Sequence, residues 1–144
     1  GRARRAGPGD RDTLLAWHVA FGDEVGRPRS AVAAAVDDRL AHGGLTLWEL
    51  AGEPVAMAGA TRPVAGMVRI APVYTPPPLR GHGYAGAVTA ATGRRALDAG
   101  VTAVLLFTDL ANPTSNALYQ HLGFQPVDDR VMLTFTGPDG PAGA

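Results

Sequence analysis

The sequence predicts an α/β (α+β) fold built on a mixed, mostly antiparallel sheet flanked by helices. Three observations lead there. Apolar residues recur at helical spacing up to about Leu40, and from Leu45 the period drops to two. A nearly unbroken apolar run, Val101 to Thr108, follows a long helical segment that starts near Gly83, as expected for a strand buried on both faces. Glycine and proline clusters punctuate the chain without any repeat or linker.

Arg2 to Ala6 reads as a short first strand, and Gly7-Pro8-Gly9 as a turn. Asp10 is placed to cap a helix reaching about Phe21, because Leu14, Trp17, His18 and Phe21 fall on one helical face. His18 on that stripe reads as a satisfied residue at the edge of the core. Asp23 to Arg29 reads as loop, and Ser30 as the cap of a second helix carrying Val32, Val36 and Leu40. Gly43-Gly44 ends that helix.

Three sequential strands follow: Leu45 to Leu50, Val55 to Arg62 and Met67 to about Thr75, joined by turns at Ala51–Pro54 and Pro63–Gly66. They form an antiparallel meander. Pro72 cannot donate to a ladder, so the third strand is expected to carry a bulge or an unpaired edge there. Pro76-Pro77-Pro78 stops it. The helix from about Gly83 to Ala99 is closed by Gly100 and leads to the buried strand, making one β-α-β unit. Asn112 caps a further helix with Pro113 at its first position, and that helix ends at Gly123. Phe124–Val127 and Arg130–Phe135 read as closing strands.

The length of 144 residues, 46% of them apolar, suits one domain with one packed core. We expect a single domain over 1–136 and a disordered tail over 137–144. Thirteen basic residues balance thirteen acidic ones, which argues against an electrostatic nucleic-acid or membrane partner. With no cysteine, disulfides, thiolate–zinc sites and a cysteine nucleophile are excluded. The four histidines show no metal-ligand spacing, so no metal is expected. No apolar run reaches the roughly 20 residues of a membrane span, and no signal peptide is visible. A soluble, cytoplasmic protein is the expectation. The basic residues are all arginine, which with the abundance of Ala, Gly and Pro suggests a GC-rich bacterial genome.

The chemistry concentrates in Arg80-Gly81-His82-Gly83-Tyr84-Ala85, between a strand and a helix. The first turn of a helix carries unpaired N–H groups and the positive end of its dipole. Glycines there let an anion approach the amides closely, and Arg80 adds a charge at the rim. A diphosphate is the natural guest. Gly81-x-Gly83-x-x-Gly86 also spells the dinucleotide fingerprint, with Asp109 at about the spacing of a ribose-binding carboxylate. The intervening prolines and the preceding meander speak against that reading.

Arg80-x-x-Gly83-x-Ala85, preceded by Pro72-Val73-Tyr74-Thr75-Pro76, resembles the coenzyme-binding motif of the GCN5-related N-acetyltransferase (GNAT) family. Asn112 through Tyr119, continuing to Gly123-Phe124, is similar to the family's second motif. The order of elements agrees from Arg2 to Phe135. The resemblance implies helices on both faces of a sheet whose two central strands splay apart. Acetyl-CoA would act as co-substrate, its pantetheine arm bonded near Val73 and Thr75 and its diphosphate on the amides of Gly81, His82, Gly83, Tyr84, Ala85 and Gly86. Asn112, Ser115 and Asn116 would lie against the pantetheine. It further implies an oxyanion contact from the Tyr74 backbone N–H and a general acid, Tyr119, near the sulfur.

The base is the weak point of the resemblance. Histone acetyltransferases of the family carry a glutamate eleven residues before the motif's first position, where this chain has Arg69. Asp23 and Glu24 are candidates for the acceptor side, Glu49 and Asp109 are weaker ones, and a water chain would also suffice as the base. Trp17, Trp48, Tyr74 and Tyr84 are candidates to line an acceptor pocket. The function implied is transfer of an acetyl group to a primary amine on a small molecule or peptide, by direct attack in a ternary complex. A non-catalytic acyl-CoA-binding or regulatory domain is the alternative. Edge pairing of the closing strands is compatible with a homodimer.

Overall fold

The computed structural model describes residues 1–107 and the strands Gln125–Pro126 and Met132–Phe135. The expected helix from Asn112 to Gly123 and the expected tail from Gly137 to Ala144 lie outside the described residues. Among these, no helix is long and apolar enough to cross a membrane.

The elements run β1 (Arg2–Arg5), α1 (Arg11–Val25), α2 (Val32–Ala41), β2 (Leu45–Leu50), β3 (Glu53–Ala60), β4 (Met67–Tyr74), α3 (Tyr84–Asp98), β5 (Ala103–Phe107), β6 (Gln125–Pro126) and β7 (Met132–Phe135). All seven strands join one sheet in the order β1-β2-β3-β4-β5-β7-β6. Only β4 and β5 pair in parallel, from Met67↔Ala103 to Ile70↔Leu106; every other pairing is antiparallel. This is the mixed, mostly antiparallel sheet expected from the change of period.

Two apolar clusters hold the layers together, one on each face of the sheet. Val88 of α3 packs with Ala56, Ala58, Val68, Ile70, Val104 and Leu106 of the sheet. Beneath α1 and α2 lie Leu14, Val36, Leu45, Leu47, Met57 and Tyr74. Alternation along β3 explains the division, since Ala56 and Ala58 face α3 while Met57 faces the other way. The small residues of β3 leave room for α3 to pack closely. In β5, Val104 and Leu106 are buried, while Ala103 and Leu105 are only half-buried. The strand therefore alternates more than its apolar run suggested.

Pro72 sits at the bulge anticipated for it. Ala58 pairs with Val73 and Ala60 with Ile70, so Ala71 and Pro72 stand opposite Gly59 alone. One extra residue reverses which face each later side chain meets. Val68 and Ile70 pack toward α3, and so does Val73, whereas Tyr74 packs toward α1 and α2. Gly59 is required there, because a Cβ would come within 2.7 Å of the Ala71 carbonyl oxygen.

Several boundaries differ from the sequence reading. α1 continues four residues past Phe21 and stops at Gly26, whose φ of 75° and N–H bond to the Gly22 carbonyl make it a left-handed cap. Asp23 and Glu24 therefore belong to a helix, not a loop. Ser30 does not cap α2. The segment turns once first, with the Val32 N–H reaching the Arg29 carbonyl at 3.3 Å, and Ala31 holds the cap position at φ 67°.

Asp10 precedes α1 but makes no side-chain cap bond. Its carboxylate instead accepts from the Gly7 N–H at 2.8 Å and from both terminal nitrogens of Arg4 at 2.8 and 2.9 Å. Arg4 also donates to the buried Glu49 at 2.9 Å, tying β1 to β2 and to the start of α1. The bond from Arg4 holds the Asp10 carboxyl below its ordinary pKa, with the Gly7 N–H helping and burial opposing. A depressed carboxyl stabilises the fold above its unfolded pKa and loses that contribution as pH falls through the folded value. Asp10→Asn is expected to cost about 1–3 kcal/mol at pH 7. The gap from wild type should narrow only below about pH 4, as measured by urea unfolding across pH.

Candidate active site

After Ile70 and Leu106 the parallel pairing of β4 and β5 is not extended among the described residues. Among the described residues, Val73 and Tyr74 pair with β3 alone, and the other edge of Val73–Thr75 borders a cleft. The cleft, about 370 Å³, is lined by Val73, Tyr74, Thr75, Arg80, Gly81, Gly83, Tyr84, Ala85 and Gly86 on the strand-to-helix side. Phe21 and Glu24 of α1, with Leu79, complete its wall. Nearly the whole predicted segment is therefore assembled at one place. His82 is the exception: it lies outside the lining, stacked on the Tyr84 ring at 5.4 Å with Nδ1 3.0 Å from the Leu79 carbonyl.

The prolines prepare this geometry. Pro77–Leu79 forms a single 3-10 turn, which lifts the chain off β4 before α3 begins. Gly81 at φ 88° and Gly83 at φ 80° then hold left-handed backbone, costly for any residue with a Cβ. The space where their Cβ atoms would stand is open, with no atom within 4 Å. Within α3 the Ala87 N–H is the first to find a main-chain acceptor, the Gly83 carbonyl at 3.0 Å. Among the described residues, the N–H groups of Tyr84, Ala85 and Gly86 have none. A clear concave backbone with free donors at the head of a 15-residue helix suits an anion.

Arg80 is more tightly held than a free rim charge. Its Nε donates to the Thr75 carbonyl at 2.8 Å, and a terminal nitrogen donates to Glu24 at 2.7 Å. The guanidinium also lies 5.6 Å from the centre of the Tyr74 ring. Tyr74 is buried and packs on Trp17 at 6.1 Å. The hydroxyl of Thr75, also buried, has no hydrogen-bond partner.

The carboxylate candidates part company here. Glu24 lines the cleft but is engaged by Arg80. Asp23 pairs with Arg29 at 2.8 Å and does not line it. Glu49 is buried on β2 and neutralised by Arg4, so its role is structural. Asp109 lies outside the described residues, as do Asn112, Ser115, Asn116 and Tyr119. Arg69, in the place of the glutamate, is exposed on β4 with its N–H donating to the Thr61 hydroxyl. Trp17 and Trp48 pack against the two apolar clusters and do not line the cleft; Tyr84 does. Phe21 and Leu79 are the wall residues that the sequence reading missed. Phe21 ends an apolar stripe and carried no signal beyond core packing. Among the described residues no group of three His, Asp or Glu side chains could hold a metal.

The sequence matches the Acetyltransferase (GNAT) family over residues 12–124. The chain belongs to this family. No curated protein sequence matches it significantly. Solved structures agree on the GNAT fold. A GNAT family acetyltransferase from Brucella melitensis, solved in complex with acetyl-CoA, superposes at TM-score 0.71 with 19% identity, covering 97% of this chain and 90% of that one. The ribosomal-protein-alanine N-acetyltransferase of the same organism gives 0.70 and 20%, with coverage of 93% and 96%. AAC(6')-Iy, bound to a bisubstrate analogue, gives 0.72 and 20%, covering 88% and 92%.

Gly83 tests the backbone requirement of this GNAT cleft. Gly83→Ala puts a Cβ on a left-handed residue and is expected to lower the unfolding free energy by about 1–2 kcal/mol. Urea denaturation of the two proteins measures the difference.

Proposed function

We propose that this chain is an acetyl-CoA-dependent N-acetyltransferase that moves the acetyl group to a primary amine by direct attack in a ternary complex. The observation that carries the reading is the cleft between the free edge of Val73–Thr75 and the open N–H groups at the head of α3. An extended arm carrying amides needs main-chain partners along a strand edge, and a diphosphate needs N–H donors. The two lie side by side. The acetyl-CoA and bisubstrate-analogue complexes of the similar structures lend support.

In this reading acetyl-CoA supplies the activated acetyl group, and the chain's own residues orient it. Gly81 to Gly86 hold the diphosphate. The Arg80 side chain, pinned between Thr75 and Glu24, fixes the turn between strand and helix and adds positive charge. Val73 and Thr75 bond the pantetheine arm through the backbone, with the Thr75 hydroxyl taking a polar contact. The Tyr74 N–H meets the negative charge that develops on the thioester oxygen. Asn112, Ser115 and Asn116 flank the arm, and Tyr119 gives a proton to the departing sulfur. A thiolate with a pKa of about 8.5 leaves fairly well unaided, so Tyr119 assists a step that is already accessible. The partner is a small or peptide-borne amine in the bacterial cytoplasm.

Two measurements test this. Acetyl-CoA is expected to raise the melting temperature, and NADH is not; the reverse result rejects the coenzyme assignment. With an accepted amine, Tyr119→Phe is expected to lower kcat by about 10²–10⁴, the usual range for acid–base groups. An unchanged kcat removes Tyr119 from the mechanism.

A further inference from the structure

A second cavity, about 320 Å³, lies on the far side of the β4 bulge. Its walls are the C-terminal half of α1, the turn before α2, the inner face of α2, and Ala71 and Pro72. Phe21 lines both this cavity and the coenzyme cleft, so the two spaces meet along α1 and β4. Its polar lining is one-sided: Arg27, Arg39, His18 and Ser30, without a carboxylate.

Two of those side chains, buried His18 and half-buried Arg39, have a buried nitrogen without a partner among the described residues. His18 is 8% exposed. Its Nδ1 lies 2.7 Å from the Leu14 carbonyl, which can only accept, so Nδ1 carries the hydrogen. Burial lowers the pKa of the ring, the Leu14 carbonyl opposes this, and Arg39 adds to it. The neutral imidazole then leaves Nε2 as a lone-pair acceptor, buried and without a partner. His18 is thus satisfied at one nitrogen only, not at both as a core histidine would be.

Arg39 is the complementary case. Its Nε is buried with no hydrogen-bond partner, and it forms no ion pair among the described residues. Asp38, the acid that favours its charge, is held by Arg62 at 2.8 Å. Burial disfavours the charge most, and Arg27 and Arg69 disfavour it further. A guanidinium stays protonated even so. Among the described residues, the cavity therefore offers a half-buried cation without an ion pair and, one packed helix away, an unused acceptor. Leaving such groups unpaired is costly, and each calls for an explanation, of which a bound ligand is one.

We propose that this cavity receives the acceptor, and that the acceptor is a small amine carrying an anionic group, a carboxylate or a phosphate. Arg39 takes the anionic group, and the His18 Nε2 accepts an N–H of the same molecule. The proposal rests on the acetyl-transfer reading only for the word acceptor; the anion site stands on Arg39 and His18. It also separates this chain from enzymes acting on polycationic amines, because a cavity lined by Arg27 and Arg39 repels them.

The test is a panel of paired amines with acetyl-CoA, compared at equal concentrations of neutral amine. β-Alanine is set against β-alaninamide, phosphoethanolamine against ethanolamine, and kanamycin serves as the polycation. The anionic member of at least one pair is expected to exceed its neutral partner by about 10–100-fold in kcat/KM, and that pair identifies the anion. Arg39→Gln should bring the ratio near one by slowing the anionic member alone, with the Kd for acetyl-CoA unchanged; Arg39→Lys should recover part of it. A second measurement needs neither turnover nor a variant. The ring ¹⁵N shifts of His18 in the wild-type protein are followed during titration with N-acetyl-β-alanine, N-acetyl-phosphoethanolamine and N-acetyl-β-alaninamide. An acid that moves them where the amide does not supports the site. Equal rates within both pairs, kanamycin as the best acceptor, or a His18 ring indifferent to both acids overturns it. Failure to bind acetyl-CoA would sink the acetyl-transfer reading instead, and the His18 titration would still decide the anion site.

Discussion

The single extra residue in β4 is the constraint on which the rest of this molecule depends. Before the bulge, β4 is an ordinary central strand, with Val68 and Ile70 under α3 and β5 alongside. After it, the alternation is inverted, and Tyr74 turns toward α1 while Val73 turns toward α3. Without the bulge Tyr74 would sit under α3, where the small residues of β3 leave α3 close to the sheet. It would then meet neither Trp17 nor Arg80. The same irregularity comes where β4 and β5 cease to pair, so one local feature both opens the cleft and re-aims the side chains along its edge.

Why the chain can hold such a feature follows from its neighbours. Proline at position 72 removes an N–H that a regular ladder would have needed. Gly59 opposite it admits the Ala71 carbonyl at a distance no side chain would permit. Arg39 lies over the same glycine, 3.1 Å from where its Cβ would be. The three features come from β3, β4 and α2. Bulges of this kind are over-represented next to active sites, where they re-aim side chains.

Much of this was legible in the sequence because it rests on residues with one dominant physical meaning. Pro72 announced the irregularity, Pro76-Pro77-Pro78 the end of β4, and Gly81 and Gly83 the close approach to the amides at the head of α3. The change of period at Leu45 placed the sheet. Boundaries set by tertiary contacts were less legible. Asp23 and Glu24 look like loop residues after Gly22, yet α1 runs on until Gly26 can take the left-handed cap. Asp10 and Ser30 have the composition of helix caps. Asp10 is drawn off by Arg4, whose bond is charge-assisted and stronger than a cap, and Ser30 is displaced by the turn at Arg29. Phe21 belonged to an apolar stripe and gave no hint that its ring would divide two cavities.

Charge shows the same limit. A net charge of zero excludes broad electrostatic partners, but it conceals how the arginines are spent. Arg4, Arg11, Arg29, Arg62 and Arg80 are each matched to a carboxylate within 4.0 Å. That pairing consumes Glu24 and Glu49, which the sequence offered as bases, and so moves the question of proton removal away from the carboxylates of the coenzyme side. Among the described residues, the second cavity keeps a cation without an ion pair and an imidazole nitrogen without a donor, separated from the first cleft by Phe21. An acceptor bringing its own negative group would complete that side of the molecule as the coenzyme completes the other. Both spaces take their position from the same irregular stretch of β4, with Ala71 and Pro72 lining one and Val73 to Thr75 the other.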